Sequence, residues 1–277
     1  MNRYRFSGNQ LKFLEHLKQT SEAHNSLLCV GLDPDVTRFN AAVAQSDTPI
    51  FEFNKAIIDA TADLVCAYKP QIAHYAAYGA EAELSLTIDY IHDTHQIPVI
   101  LDAKRGDIGS TAEMYAREAF ERYKADAVTV NPYLGLDSME PFLSHDDKGI
   151  LILCRTSNPG GSDLQNLKTE NGMYLYEHIA IQAKEVWNGN GNVLLVVGAT
   201  RPLELKRIRE LTGDMPFLLP GIGAQGGDIK SSMESARGGQ LIVNSARAIL
   251  YADDSDSFAD CARQVAIQTR DQINLYR

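Results

Sequence analysis

The chain has 277 residues, 44% of them hydrophobic and 22% charged, which is enough apolar material for one large domain with a full core. A formal net charge of −10 argues against a general nucleic-acid surface, yet it leaves room for a local cationic pocket that takes an anionic small molecule. The opening MNRYRFSGNQ is polar without an apolar signal core, and no run approaches the roughly 18 apolar residues of a membrane span, so a cytoplasmic protein is expected.

In chain order, LKFLEHLKQTSEAH (11–24) predicts an extra amino-terminal helix, and LLCVGL (27–32) predicts the first strand. IFEFNKAIIDATA then places Ile50, Phe53, Ile57 and Ile58 near one face of a helix. DLVCAYK (63–69) and IPVILDAK (97–104) are the second and third strands. STAEMYAREAFERYK reads as a helix with Ser110 and Thr111 as caps, and with Glu113 spaced to close a capping box on Ser110. The fourth and fifth strands are AVTVN (127–131) and GILILCR (149–155). The polar, glycine-rich NPGGSDLQNLKTENG (158–172) comes next, in the position of a mobile lid. NVLLVVG (192–198) is the sixth strand, and PLELKRIREL a helix with Pro202 at its first position. PFLLP (216–220), QLIVN (240–244) and a closing helix, SFADCARQVAIQTRDQINLYR, complete the series.

These eight runs are continuously apolar rather than alternating, as parallel strands covered on both faces require. Eight of them alternating with helices predict an α/β chain folded as a (β/α)8 barrel with an extra amino-terminal helix, one domain over 1–277. No repeat, low-complexity block or linker divides it. Cys29, Cys66 and Cys154 lie in strand runs, and together with Cys261 they form no CxxC pair or metal-ligand spacing; buried reduced thiols are expected.

Active sites of such barrels gather at the carboxyl ends of the strands. Here the first strand ends in Asp33, the second in Lys69, and the third in Asp102-Ala-Lys104 followed by Arg105-Gly-Asp107. Asp102 and Lys104, two apart on a strand, point to one side, and Ala103 points into the helix layer. Lys69 joins them from the neighbouring strand. A structural ion-pair network is the alternative, but charges buried that way are costly. Their confinement to one end of the strands favours catalysis.

LDAKRGDIGST (101–111) resembles the DxKxxD signature of the orotidine 5′-phosphate decarboxylases. The resemblance continues through GLDPD (31–35), YKPQIAHY (68–75), RTSNPGG (155–161), VVGAT (196–200), PGIGAQGGD (220–228) and NSARAIL (244–250), and is nearest to the longer bacterial branch. It implies a lyase that converts orotidine 5′-phosphate to UMP and CO2 with no cofactor and no metal, as the last step of de novo UMP synthesis. By that resemblance Lys104 donates the proton to C6, Asp102 lies against the scissile carboxylate, and Lys69 and Asp33 hold the array and bind ribose hydroxyls. Ser157 would bond the pyrimidine edge. Pro220, Gly221, Gln225 and Arg247 would form the phosphate site after the seventh and eighth strands. Asp107 and Thr111 would cross the interface of a homodimer with shared sites. Gly109 and Ala246 depart from residues common in the family, which bears on loop detail rather than on the charged positions.

Gly221, Gly223 and Gly226 formally satisfy GxGxxG, but the next strand end offers Asn244 and Arg247 instead of the acidic residue a dinucleotide needs. His92 and His95 fall near the wrong end of the barrel for catalysis, and no histidine pair has a metal arrangement. Two rival functions stand: a metal-dependent sugar-phosphate synthase or decarboxylase of the same superfamily, and a non-catalytic nucleotide-binding barrel. Lys69, where those metal enzymes carry an acidic ligand, disfavours the first, and the intact Asp102, Lys104 and Asp107 set disfavours the second.

Overall fold

Apolar runs with no polar face must be buried on both sides, and a closed parallel sheet wrapped in helices does this without leaving an edge. The computed structural model describes residues 11–221, 228–253 and 255–277, and it has that architecture. The strands are β1 (Leu28–Leu32), β2 (Ala67–Pro70), β3 (Ile100–Arg105), β4 (Ala127–Val130), β5 (Gly149–Arg155), β6 (Val193–Val197), β7 (Phe217–Pro220) and β8 (Leu241–Ser245). Their pairing is parallel in the order β2-β1-β8-β7-β6-β5-β4-β3. The ends of that order meet: the Tyr68 amide donates to the Pro98 carbonyl at 3.0 Å, and bridges pair Tyr68 with Val99 and Gln71 with Asp102. The barrel closes there.

A helix follows every strand, from Pro49–Thr61 after β1 to Phe258–Asn274 after β8. Ile50, Phe53, Ile57 and Ile58 are all buried on the first of these. The core has two layers. A large one lies between sheet and helices and takes Val30, Leu101, Val128, Ile152 and Val243 from the outward face of the strands. The inner one fills the barrel with Cys29, Ala67, Ile100, Ala127, Leu151, Leu194, Leu218 and Ile242. Phe13 and Leu17 of the helix Phe13–Ala23 belong to this inner cluster and plug the barrel at the amino ends of the strands. Gly149, first in β5, makes room: a Cβ there would collide with the Phe13 ring.

Two expectations need adjustment. Strand β2 starts at Ala67 instead of Asp63, because Ala62–Leu64 forms a 3-10 turn. That turn is held by Ser26 Oγ donating to Leu64 O at 2.6 Å and by Arg263 gripping both Asp63 carboxylate oxygens. The Ser110–Glu113 capping box does not form. The helix begins at Gly109, after an extended Ile108 with no side-chain cap, so Ser110 sits two residues past the cap position. Gly109 itself has φ +53°, which only glycine adopts freely. The helix then runs to Arg117 and widens into a π turn over Glu118–Arg122.

Pro202 does open its helix. Cys29, Cys66 and Cys154 are buried and unpaired, and burial pushes the Cys29 thiol up to about 12, so it stays protonated and inert at neutral pH. Among the described residues no helix is long and apolar enough to cross a membrane.

Candidate active site

Counting two residues on from each inner-layer side chain gives the floor of a cavity, since alternate residues of a strand share a face. Ala67 leads to Lys69, Ile100 to Asp102, Ala127 to Thr129, Leu151 to Leu153, Leu194 to Val196, and Ile242 to Asn244. These six, with Leu218, line a cavity of about 440 Å³ at the carboxyl ends of the strands. The next step up brings Asp33, Gln71, Lys104, Pro220 and Ala246 to its wall. The charged residues around it are Lys69, Lys104 and Arg247 against Asp33 and Asp102, with His74 at the edge. Locally the sign opposes the −10 of the whole chain.

The centre is one carboxylate between two ammoniums. Lys69 Nζ donates to Asp102 Oδ2 at 2.8 Å, and Lys104 Nζ donates to Asp102 Oδ1 at 2.6 Å. Burial works against the charge of Lys69, but the carboxylates of Asp102 and Asp33 outweigh it and hold its pKa above the ordinary lysine value. Burial works against Asp102 as well, and Lys69 and Lys104 outweigh it, keeping this carboxyl well below the usual carboxylate range. Lys69 therefore enters the cavity as an ammonium, and the Lys104 side chain beside it is half exposed. Lys69, by contrast, is buried.

The simple pleat expected for Asp102-Ala-Lys104 is broken by a bulge. Leu101 pairs with Val128 and Arg105 with Val130, so three residues of β3 face Thr129 alone. Lys104 has φ +48°, a left-handed conformation that few non-glycine residues adopt. Asp102 and Lys104 converge nonetheless, and Ala103 packs toward the helix layer as expected.

On the β1 side, Tyr251 Oη donates to the Asp33 carbonyl at 3.0 Å and accepts from the Asp35 amide, clamping the loop that carries Asp33. His74 Nδ1 bonds the Pro34 carbonyl at 3.0 Å, so that nitrogen carries the hydrogen. Among the described residues, Asp33 Oδ1 and Asn244 Oδ1 are both buried without a hydrogen-bond partner. Two orphaned acceptors beside one cavity suit a ligand rich in hydroxyl donors.

Ser157 lines the cavity from the loop after β5. Gly198 lets that loop approach: a Cβ there would stand 2.8 Å from Ser157 Cα. The segment beyond is not bare loop. It carries a short helix, Gly161–Gln165, and the Gln165 amide accepts from Arg155 Nη1 and the Thr156 amide at 2.7 and 3.0 Å. Arg155, fully buried, roots this end of the expected lid.

Pro220, Gly221 and Arg247 line the opposite side, with Gly221 at φ +96° and Arg247 exposed at the start of the turn Arg247–Leu250. Gln225 lies outside the described residues. Asp107 and Thr111 do not reach the cavity of their own chain. Asp107 Oδ1 accepts from the Ile108 amide at 2.8 Å, and Thr111 is exposed on the helix behind it. Sequence reasoning missed Thr129, Asn244, Gln71 and His74 at the cavity; the signal available for the first two was the two-residue step from Ala127 and Ile242.

Comparison with known proteins agrees with this geometry. The chain is 59% identical to the orotidine 5′-phosphate decarboxylase of Dechloromonas aromatica (strain RCB) over 271 residues, covering 96% of this chain and 100% of that one. The solved Leishmania donovani OMP decarboxylase superposes with a TM-score of 0.82 at 40% identity, covering 96% of this chain and 98% of that one. The Leishmania donovani UMP synthase matches with a TM-score of 0.83 at 39% identity, and there this chain spans only 57% of the other. The model of the orotidine 5′-phosphate decarboxylase / HUMPS family matches residues 26–260, and the chain belongs to that family.

Proposed function

We infer that this chain decarboxylates orotidine 5′-phosphate to UMP and CO2. The observation that carries the reading is the Lys69–Asp102–Lys104 array in a cavity with cationic excess, in a chain of this family. Breaking the C6–carboxylate bond leaves its electron pair on C6, and Lys104 then transfers a proton to that carbon while CO2 departs. The ammonium stabilises the developing carbanion before the transfer, a fixed charge doing what an electron-sink cofactor would do. Asp102 lies against the departing carboxylate, and Lys69 keeps Asp102 ionised and in place. Asp33 binds ribose hydroxyls. Ser157 bonds the pyrimidine edge, and Pro220, Gly221, Gln225 and Arg247 surround the phosphate, whose binding energy helps organise the site.

The reading extends to a homodimer of single-domain, cytoplasmic subunits in which Asp107 and Thr111 complete the partner's site. Ile108, Met114, Tyr133, Leu134, Leu164 and Leu167 support it: all are exposed, and all follow the adjacent strands β3, β4 and β5. Such a set of apolar side chains around one rim suits a protein interface.

A metal-dependent reaction fits less well, because two ammoniums flanking Asp102 repel a divalent cation. A spectrophotometric assay with orotidine 5′-phosphate, run with and without EDTA, tests both points. Turnover unaffected by the chelator is expected. No turnover, or turnover lost with EDTA and restored by Mg2+, would refute the assignment.

A further inference from the structure

Asp102, Ala103 and Lys104 together face Thr129, and the regular β3–β4 ladder leaves the amides of Ala103 and Lys104 without a strand partner. The Thr129 hydroxyl takes both: Oγ1 accepts from Ala103 N and from Lys104 N, each at 2.9 Å. It donates its own hydrogen to Asp102 Oδ1, also at 2.9 Å. A hydroxyl has one hydrogen and two lone pairs, so its bonding capacity is used up, on three consecutive residues of the bulge. The side chain is buried, 1% exposed, so water does not compete.

We propose that Thr129 is a positioning residue of the decarboxylation, its hydroxyl holding the β3 bulge in the shape that presents Lys104 and Asp102 to the substrate. It fixes two things at once. The bonds to the backbone retain Lys104 in its left-handed conformation, φ +48°, which starts the side chain on its path to the cavity. The bond to Oδ1 orients the carboxylate so that Lys104 meets that oxygen at 2.6 Å while Lys69 meets Oδ2 at 2.8 Å. Valine fills the same volume in a buried strand but has no hydroxyl; serine keeps the hydroxyl and loses only the methyl.

The inference rests on the reading of Lys104 as proton donor, so K104A is assayed beside T129V and T129S. T129V is expected to lower kcat about 10²-fold, the scale of a misplaced catalytic group. The affinity for UMP should stay within about threefold, because UMP lacks the carboxylate that Asp102 faces, and KM should change far less than kcat. T129S should recover kcat to within about tenfold of wild type, since the hydroxyl carries all three bonds. In T129V the acid limb of the kcat profile should also move to higher pH, because the carboxylate has lost a bond to its charged form. Wild-type kcat in T129V, equal impairment of both variants, or a loss confined to KM would overturn the proposal. T129S removes one methyl and tests the proposal even if T129V does not fold: a drop of kcat beyond tenfold refutes it. Residual full turnover in K104A would instead refute the donor reading, whatever Thr129 does. An inactive K104A with an unimpaired T129V would sink the Thr129 inference alone.

Discussion

Asp102 is a carboxylate with little solvent, held ionised by two ammoniums and a threonine hydroxyl. Such an arrangement is costly to break from one side, because Lys69 would then be left buried with its closest counter-charge gone. D102N should therefore be less stable than wild type by about 3 kcal/mol at neutral pH, as well as inactive. The folded pKa of Asp102 lies below its ordinary value of 3.8, so its contribution is present above that value and is lost as the pH falls toward the folded pKa. Urea unfolding of both proteins should show the gap narrowing from about pH 4 downward. A gap independent of pH would mean that the charge of Asp102 does not stabilise the fold. Asp102, Lys104 and Lys69 were legible in the sequence because a charge inside an apolar run is conspicuous and has few structural uses. Thr129 was not, because threonine is an ordinary strand residue and nothing in AVTVN announces a hydroxyl that collects three bonds. Asn244 is more conspicuous, being a poor strand former at the end of a strand.

The helix Phe13–Ala23 sits outside the eight-fold repeat, yet it closes the inner core by setting Phe13 and Leu17 against the lower barrel layer. Its fit depends on the missing side chain at Gly149. G149A should cost about 1–3 kcal/mol through overpacking, read as a lower thermal midpoint. Turnover per folded molecule should be unchanged, because Gly149 lies at the far end of β5 from the cavity. An unchanged midpoint would show that the helix can shift without loss and is no plug. All eight strands could be read from the sequence, since buried parallel strands leave long apolar runs, and all eight end within one residue of where those runs end. Local signals did worse where tertiary contacts compete with them. The run 63–66 looked like strand, but Arg263 and Ser26 hold part of it in a turn. The Ser110–Glu113 spacing looked like a cap, but the turn at Gly109 starts the helix too early to use it. The bulge in β3 was invisible for the same reason: its support comes from the neighbouring strand.

The site within one chain is incomplete with respect to its own signature. Of the three DxKxxD positions in DAKRGD, Asp102 and Lys104 face the cavity, while Asp107 does not line it and sits at the base of an exposed helix beside Ile108 and Met114. In the proposed homodimer Asp107 would serve the neighbouring copy, and a two-fold axis beside β3 would make that exchange mutual. Mixing subunits tests this directly. A K104A chain retains Asp107, and a D107A chain retains Lys104, so one of the two sites in a heterodimer has both residues and the other has neither. With equal, random association, half the dimers are mixed and each holds one intact site, which predicts about one quarter of wild-type turnover from two nearly inactive parents. If Asp107 instead served its own chain, each site would carry one lesion in every dimer. Failure to recover activity after heterodimers had been demonstrated by mass would then return Asp107 and Thr111 to a local structural role and leave the exposed apolar rim without a catalytic purpose.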